Sequence, residues 1–136
     1  MAPQPSFLEK LQGAPAALFH VLDPAKAARM NAATLFIPAP ADVANAIAAI
    51  PHGETRTIVE LRGELATIGN AETACPAKTI KYWKWLAHAA DEAQGSDSRY
   101  AIPWWRVLKD GKPSRHMPGD IERQIALLSA EGIQVK

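Results

Sequence analysis

The sequence predicts a mostly helical domain with a short β-hairpin, on three observations. Two segments with helical apolar spacing and legible start signals lie close together, at 58–66 and 76–90. A third such segment follows Asp120 near the end of the chain. Between them, Tyr100 to Leu108 reads as extended and runs into Asp110-Gly111, a strong tight-turn dipeptide. The 136 residues fit one domain by size, and a hydrophobic content of 48% is enough to build a core.

Residues 1–34 are rich in alanine and proline, with apolar clusters at Phe7, Leu8, Leu11 and at Leu18, Phe19, Val21, Leu22. They are expected to form an N-terminal arm of one or two helical turns packed on a domain spanning 35–136. Leu35-Phe36-Ile37 is a short apolar run stopped by Pro38-Ala39-Pro40. From Ala41 to Ile50, Val43, Ile47 and Ile50 recur at helical spacing until the breaker cluster Pro51-His52-Gly53. Thr57-Ile58-Val59-Glu60 fits a capping box, in which the threonine hydroxyl accepts from the third residue's N–H and the glutamate reaches back. That predicts a helix from Ile58 to Ala66 with Leu61 and Leu65 inward. Residues 68–74 read as a polar connection. Pro76 suits a first helical turn, where its missing N–H costs nothing, and predicts a helix to Ala90. Gly95-Ser96-Asp97-Ser98 reads as a flexible loop, and Lys112 to Pro118 as a surface loop. The last helix should start at Gly119 or Asp120, turn Ile121, Ile125 and Leu128 inward, and stop at Gly132.

Composition removes several classes. A net charge of +1 with 21% charged residues excludes polyanion binding by bulk charge. Cys75 is the only cysteine, so no internal disulfide can form, and a cytoplasmic setting is expected. The first six residues lack a basic region followed by an apolar core, so no signal peptide is expected. No apolar run approaches the roughly 20 residues of a membrane helix, so no membrane partner is expected. His20, His52, His88 and His116 are scattered, which argues against a metal site. No cofactor is implied, and a monomer is expected.

On the helix from Pro76, Lys78, Lys81, Trp85 and His88 are spaced three, four and three, so they share a face flanked by Lys84. Ile80, Trp83, Ala87 and Ala90 make the opposing apolar face, with Tyr82 and Leu86 between. Lysines so placed can neutralise phosphates and release counterions, or can simply be a solvated face. The connection to the preceding helix is longer than the roughly three or four residues of a standard helix-turn-helix. Arg99, Arg106, Lys109, Lys112, Arg115 and His116 add positive charge around the later loop, diluted by Asp97, Asp110 and Asp120.

Pro103-Trp104-Trp105-Arg106, after Ile102 and before Val107, carries a resemblance. The segment resembles the Ile-Pro-Cys-His-Arg-Val loop of the methylguanine-DNA methyltransferases, with Trp104 in the place of the reactive cysteine and Trp105 in that of its histidine. Gly53 to Leu61 is similar to the stretch opening the first helix of that family's DNA-binding pair. The Pro76 helix falls where its recognition helix falls, and Leu127-Leu128-Ser129-Ala130-Glu131-Gly132 resembles its closing motif. The likeness spans roughly residues 36–133. It implies a winged-helix-like or helix-turn-helix domain of the alkyltransferase type, with double-stranded DNA as partner. It places Thr57, Lys78, Lys81, Lys84, Arg106 and Lys109 toward DNA. It puts Trp104, Trp105 and Glu131 around the former alkyl-acceptor pocket.

The departures bear on function. In that family a cysteine thiolate attacks, activated through histidine and water by a glutamate. Only the glutamate has a counterpart here, Glu131, so alkyl transfer by that mechanism is excluded. Ile58 stands for the tyrosine that helps rotate the target nucleotide, and no arginine stands near Ile80 or Lys81, where the family has one. Tryptophan for cysteine is the mark of alkyltransferase-like proteins, which bind alkylated DNA without repairing it.

Other readings stand beside this one. Two adjacent tryptophans on an extended segment point to opposite sides, so at least one should be core. Arg106 can bind phosphate or tie the loop to backbone carbonyls, and Glu131 can be a plain helix-end carboxylate. Cys75 is a structural residue or a lone thiol. The chain can also be a protein-interaction module that kept the fold and lost nucleic acid, presenting Trp85 and His88 or a Trp104 cleft to a partner. An unrelated enzyme using Glu131, His88 or His116 would need a catalytic spacing that is not found.

Overall fold

The computed structural model describes residues 6–93 and 102–134. Among these residues, six α-helices and two small sheets surround one core. The elements are α1 (Phe7–Gln12), β1 (Leu18–Val21), α2 (Pro24–Met30), β2 (Thr34–Ile37), α3 (Pro40–Ala48), β3 (Arg56–Thr57), α4 (Ile58–Ile68), β4 (Thr73–Ala74), α5 (Pro76–Ala93), β5 (Val107–Leu108) and α6 (Asp120–Ser129). The mostly helical class expected from the sequence is what is found. The Gly95–Ser98 loop, Arg99 and Tyr100 lie outside the described residues.

Local signals explain most boundaries. The Thr57 hydroxyl accepts from the Glu60 N–H at 3.1 Å while the Glu60 carboxylate accepts from the Thr57 N–H at 2.9 Å, so the capping box forms as expected. Pro76 opens α5 at its first position. Asp110 and Gly111 both take positive φ, 54° and 74°, which is the primed turn that a two-residue reversal favours, and it closes the Lys109–Lys112 bridge. After α6, the N–H groups of Gly132 and Ile133 bond to the carbonyls of Ser129 and Leu128. Gly132, at φ 80°, takes the left-handed position that this helix ending requires.

The residues before 35 do more than form helical turns. Strand β1 pairs antiparallel with β2, in a register that sets Phe19 opposite Phe36, and α1 lies along α5. Strand β4 adds to β2 in parallel, while β3 and β5 form a separate parallel pair. Three of these strands have only two residues, too few for alternation to show in a sequence. The expected hairpin is therefore reduced to the Lys109–Lys112 reversal, since β1 and β2 are joined through α2.

The core is built from Val43 and Ile47 of α3, Leu61 and Leu65 of α4, and Tyr82, Trp83, Leu86 and Ala87 of α5. On α5 the buried stripe starts at Thr79 and includes Ala89, whereas Ile80 is only half-buried, so the apolar face is rotated from the one expected. Gly69, which caps α4, is held to glycine by packing: an added Cβ would come within 2.2 Å of the Phe36 ring. On α6, Leu128 is buried, Ile125 half-buried and Ile121 exposed, correcting the inward reading of Ile121. The other fully buried residue of this helix is Gln124. Among the described residues no helix is long and apolar enough to cross a membrane.

Candidate nucleic-acid interface and the double-indole turn

Trp104 to Arg106 form a single 3-10 turn leading into β5, not the extended segment expected through Pro103. Pro103 has no N–H to give to a strand ladder. The N–H of Arg106 bonds back to the Pro103 carbonyl at 3.0 Å, which winds the chain. The two indoles meet edge to face at 5.8 Å between ring centres, with 83° between planes.

Trp104 is 3% exposed and belongs to the main core. Its carbonyl accepts the indole N–H of Trp83 at 3.0 Å, so the turn is pinned to the buried side of α5. Trp104 is therefore core and does not present the cleft that an acceptor-site reading expects. Trp105 is half-buried, and its indole N–H donates to Glu131 at 2.7 Å.

Glu131 collects three donors. Besides Trp105 it accepts from the Gly53 N–H at 2.8 Å and from Arg106 Nε at 2.9 Å. Its side chain is 5% exposed and that of Arg106 13%. Burial alone would push the Glu131 carboxyl up. The bonds from Gly53, Trp105 and Arg106 and the Arg106 charge outweigh burial, and the carboxyl sits below its ordinary range. Arg106 also donates from Nη1 to the Ile50 carbonyl at 2.7 Å. Of its two expected roles, the guanidinium takes the structural one, tying the loop to α6 and to the end of α3.

Gln124 completes the clamp. Its amide nitrogen donates to the carbonyls of Trp105 (3.0 Å) and Val107 (2.8 Å), and its oxygen accepts from the Ser114 N–H at 3.0 Å. Sequence reasoning did not find it. The signal available was position alone, on the α6 stripe one turn before Leu128.

The lysines lie elsewhere on α5. Lys81 is exposed and Lys84 half-buried, and with Trp85 and His88 they floor an open groove. Phe7 of α1 walls one side and His116 of the 112–118 loop is also part of the lining. Phe7 stacks on His88 at 4.7 Å, and the His88 ring bonds to the His116 carbonyl at 2.8 Å. The Lys81 ammonium lies 4.6 Å from the Trp85 ring centre and that of Lys10 4.5 Å from the Phe7 ring centre. No carboxylate lines this groove among the described residues. The acids that follow on α5 are engaged, Asp91 by Arg123 and Glu92 by the Phe7 N–H. Lys78 stands apart, with its ammonium 5.7 Å from the Tyr82 ring centre. The sequence grouped Lys78 with Lys81, whereas Lys84 is the residue that shares the groove.

Thr57 and Lys109 lie at another place. The β3–β5 register pairs Thr57 with Leu108, so exposed Lys109 follows directly beside the start of α4. The Thr57 hydroxyl is engaged in the cap. Neighbouring Arg56 is paired with Glu64 at 2.9 Å, whose bond holds its guanidinium above the ordinary value. Cys75 is half-buried just before α5.

No family model and no curated protein matches the chain. Among solved structures, it is similar to that of S. pombe Atl1 in complex with damaged DNA containing O6-carboxymethylguanine, at 21% identity, covering 71% of this chain and 78% of that one. The TM-score of 0.43 is that of a loose superposition, so function has to be argued from the residues themselves.

Proposed function

We propose that this chain is a non-enzymatic DNA-binding protein of the alkyltransferase-like kind, one that engages damaged or alkylated duplex DNA without accepting an alkyl group. Residues 1–34 serve as an arm on a 35–136 DNA-binding domain, and the protein works as a cytoplasmic monomer. The observation that carries the reading is the two-sided use of α5. One side holds the double-indole turn through the Trp83–Trp104 bond. The other side turns Lys81 and Lys84 outward beside aromatic rings, with no acid in the lining among the described residues. The turn that resembles a reactive loop has no nucleophile and no titratable base at 104 and 105, so what remains for it is support.

Salt-titrated binding of an alkylated and an unmodified duplex tests this. The expected result is affinity that falls with salt and that a Lys78/Lys81→Glu variant loses. The protein's mass should be unchanged after incubation with the alkylated duplex. Salt-independent affinity, an unaffected variant, or a mass increase by one alkyl group would each reject the reading.

A second reading, a protein-interaction module, draws on a separate observation. Strand β1 is an edge strand with no buried side chain, and Leu18 (51%), Phe19 (50%) and Val21 (78%) are well exposed. Capture of a partner that survives nuclease treatment and fails with Phe19→Lys would favour it.

A further inference from the structure

The outward face of α5 is the floor of a groove and not a ridge. A helix that reads a duplex has to stand proud of its neighbours to enter a base groove. Here Phe7 of α1 rises beside that face, and His116 borders it from the 112–118 loop. A duplex resting on these rims would reach the floor poorly, whereas one strand is narrow enough to lie within it.

The lining has the two components that unpaired nucleotides require, cations for the phosphates and aromatic faces for the bases. Lys81 and Lys84 supply the first, and Trp85 and Phe7 the second. In the free protein the ammonium groups of Lys81 and Lys10 lie over those rings. Such contacts are weak at exposed sites, and lysine stems are long enough to give up a ring for a phosphate.

We infer that this groove seats unpaired nucleotides of a nucleic-acid strand, with bases against Trp85 and Phe7 and phosphates against Lys81 and Lys84. The inference rests on the DNA-binding reading and narrows it: a duplex that exposes an unpaired nucleotide binds ahead of a perfect one. His116 borders the groove, so a carboxylate introduced there would face the phosphates of a strand lying in it.

The test uses the full chain at one ionic strength, with oligo-dU, oligo-rU, and a blunt duplex of equal length. One of the two strands should bind at least about tenfold more tightly than the blunt duplex, the scale of a single base stack, and quench tryptophan fluorescence. Whichever strand binds more tightly identifies the sugar. Trp85→Phe should abolish most of the quench and keep affinity within about threefold, because the ring remains for stacking. Phe7→Ala should weaken the strand about tenfold. His116→Glu, a change at an exposed position that spares the fold, should do the same. Both should weaken the strand more than they weaken the blunt duplex. Strand affinity no greater than that of the duplex, or strand affinity indifferent to both Phe7→Ala and His116→Glu, overturns the inference. If the blunt duplex still binds through Lys78 and Lys81, the broader reading survives that failure. If no nucleic acid binds, both fall.

Discussion

Trp83 and Lys84 are consecutive on α5, yet each belongs to a different kind of place. Trp83 is fully buried and spends its one polar hydrogen on the Trp104 carbonyl. Lys84, half-buried, lines an open groove with Lys81, Trp85 and His88. The double-indole turn is a closed account: Trp105, Arg106, Glu131, Gln124 and the Gly53 N–H satisfy one another. The groove holds its cations and rings by weaker contacts, Lys81 over Trp85 and Phe7 stacked on His88, with no carboxylate in its lining among the described residues. The residues that look most unusual in the sequence hold the fold, while Lys81 and Lys84 lie in the open groove.

Removing the anion at the centre of the turn should have the largest effect. Glu131→Ala leaves the nearly buried Arg106 without its carboxylate and takes the acceptor from the half-buried Trp105 N–H. Breaking such a pair costs about 3–5 kcal/mol, a fall in Tm of about 10 °C for a chain of this size. Denaturant unfolding measures it. DNA affinity per folded molecule should stay the same, and a selective loss of binding would show that the turn is more than support.

The same carboxyl gives a pH signature. Its folded-state pKa is depressed below the ordinary 4.5. Its stabilisation is therefore complete above that value and is lost as pH falls through the folded one. The stability gap between the natural chain and Glu131→Gln should be widest near neutral pH and close progressively below about 4.5. A gap that persists in strong acid would mean that the charge is not what holds the turn.

How much of this was legible varies with the kind of signal. Thr57-Glu60, Pro76 and Asp110-Gly111 were legible because each acts through its own backbone within a few residues. The helix starts at Ile58 and Pro76 fall where expected, whereas the ends lie two and three residues beyond Ala66 and Ala90, at Ile68 and Ala93. The ion pair of Arg106 with Glu131, 25 positions apart, left no local trace; the sequence only showed that both ends were present. Alternation points the tryptophan segment toward an extended form, whereas after Pro103 the chain winds into a 3-10 turn. Gln124 was hidden for a different reason, since a polar residue in an amphipathic helix is read as outward unless its buried partners are known. The groove was half legible. Helical spacing grouped Lys81 with Trp85 and His88, but the wall formed by α1 depends on a tertiary contact.

Gln124→Leu should come next in size. Leucine fills the volume but leaves the Trp105 and Val107 carbonyls and the Ser114 N–H without their partner. One orphaned buried group costs about 1–3 kcal/mol, so a loss at the upper end of that range is expected by chemical denaturation. A loss well under about 1 kcal/mol would mean that water enters and replaces the amide. Thr57→Ala should cost about 1 kcal/mol through the lost cap, and Thr57→Ser should recover most of it. If the alanine variant instead loses DNA affinity at unchanged stability, the hydroxyl serves a phosphate and not the helix.

The smallest effect on stability is expected at Lys84, and there the comparison is sharpest. Lys84→Gln removes a cation that no described carboxylate holds, so unfolding free energy should move by less than about 0.5 kcal/mol. If Lys84 meets a phosphate, the slope of log affinity against log salt should fall by about one. Its neighbour should behave in the opposite way. Trp83→Phe keeps a ring but strips the Trp104 carbonyl of its donor, costing about 1–3 kcal/mol while leaving the salt slope alone. Should Trp83→Phe flatten the slope, or Lys84→Gln leave it intact, the division of α5 into a side that holds and a side that binds would have to be redrawn.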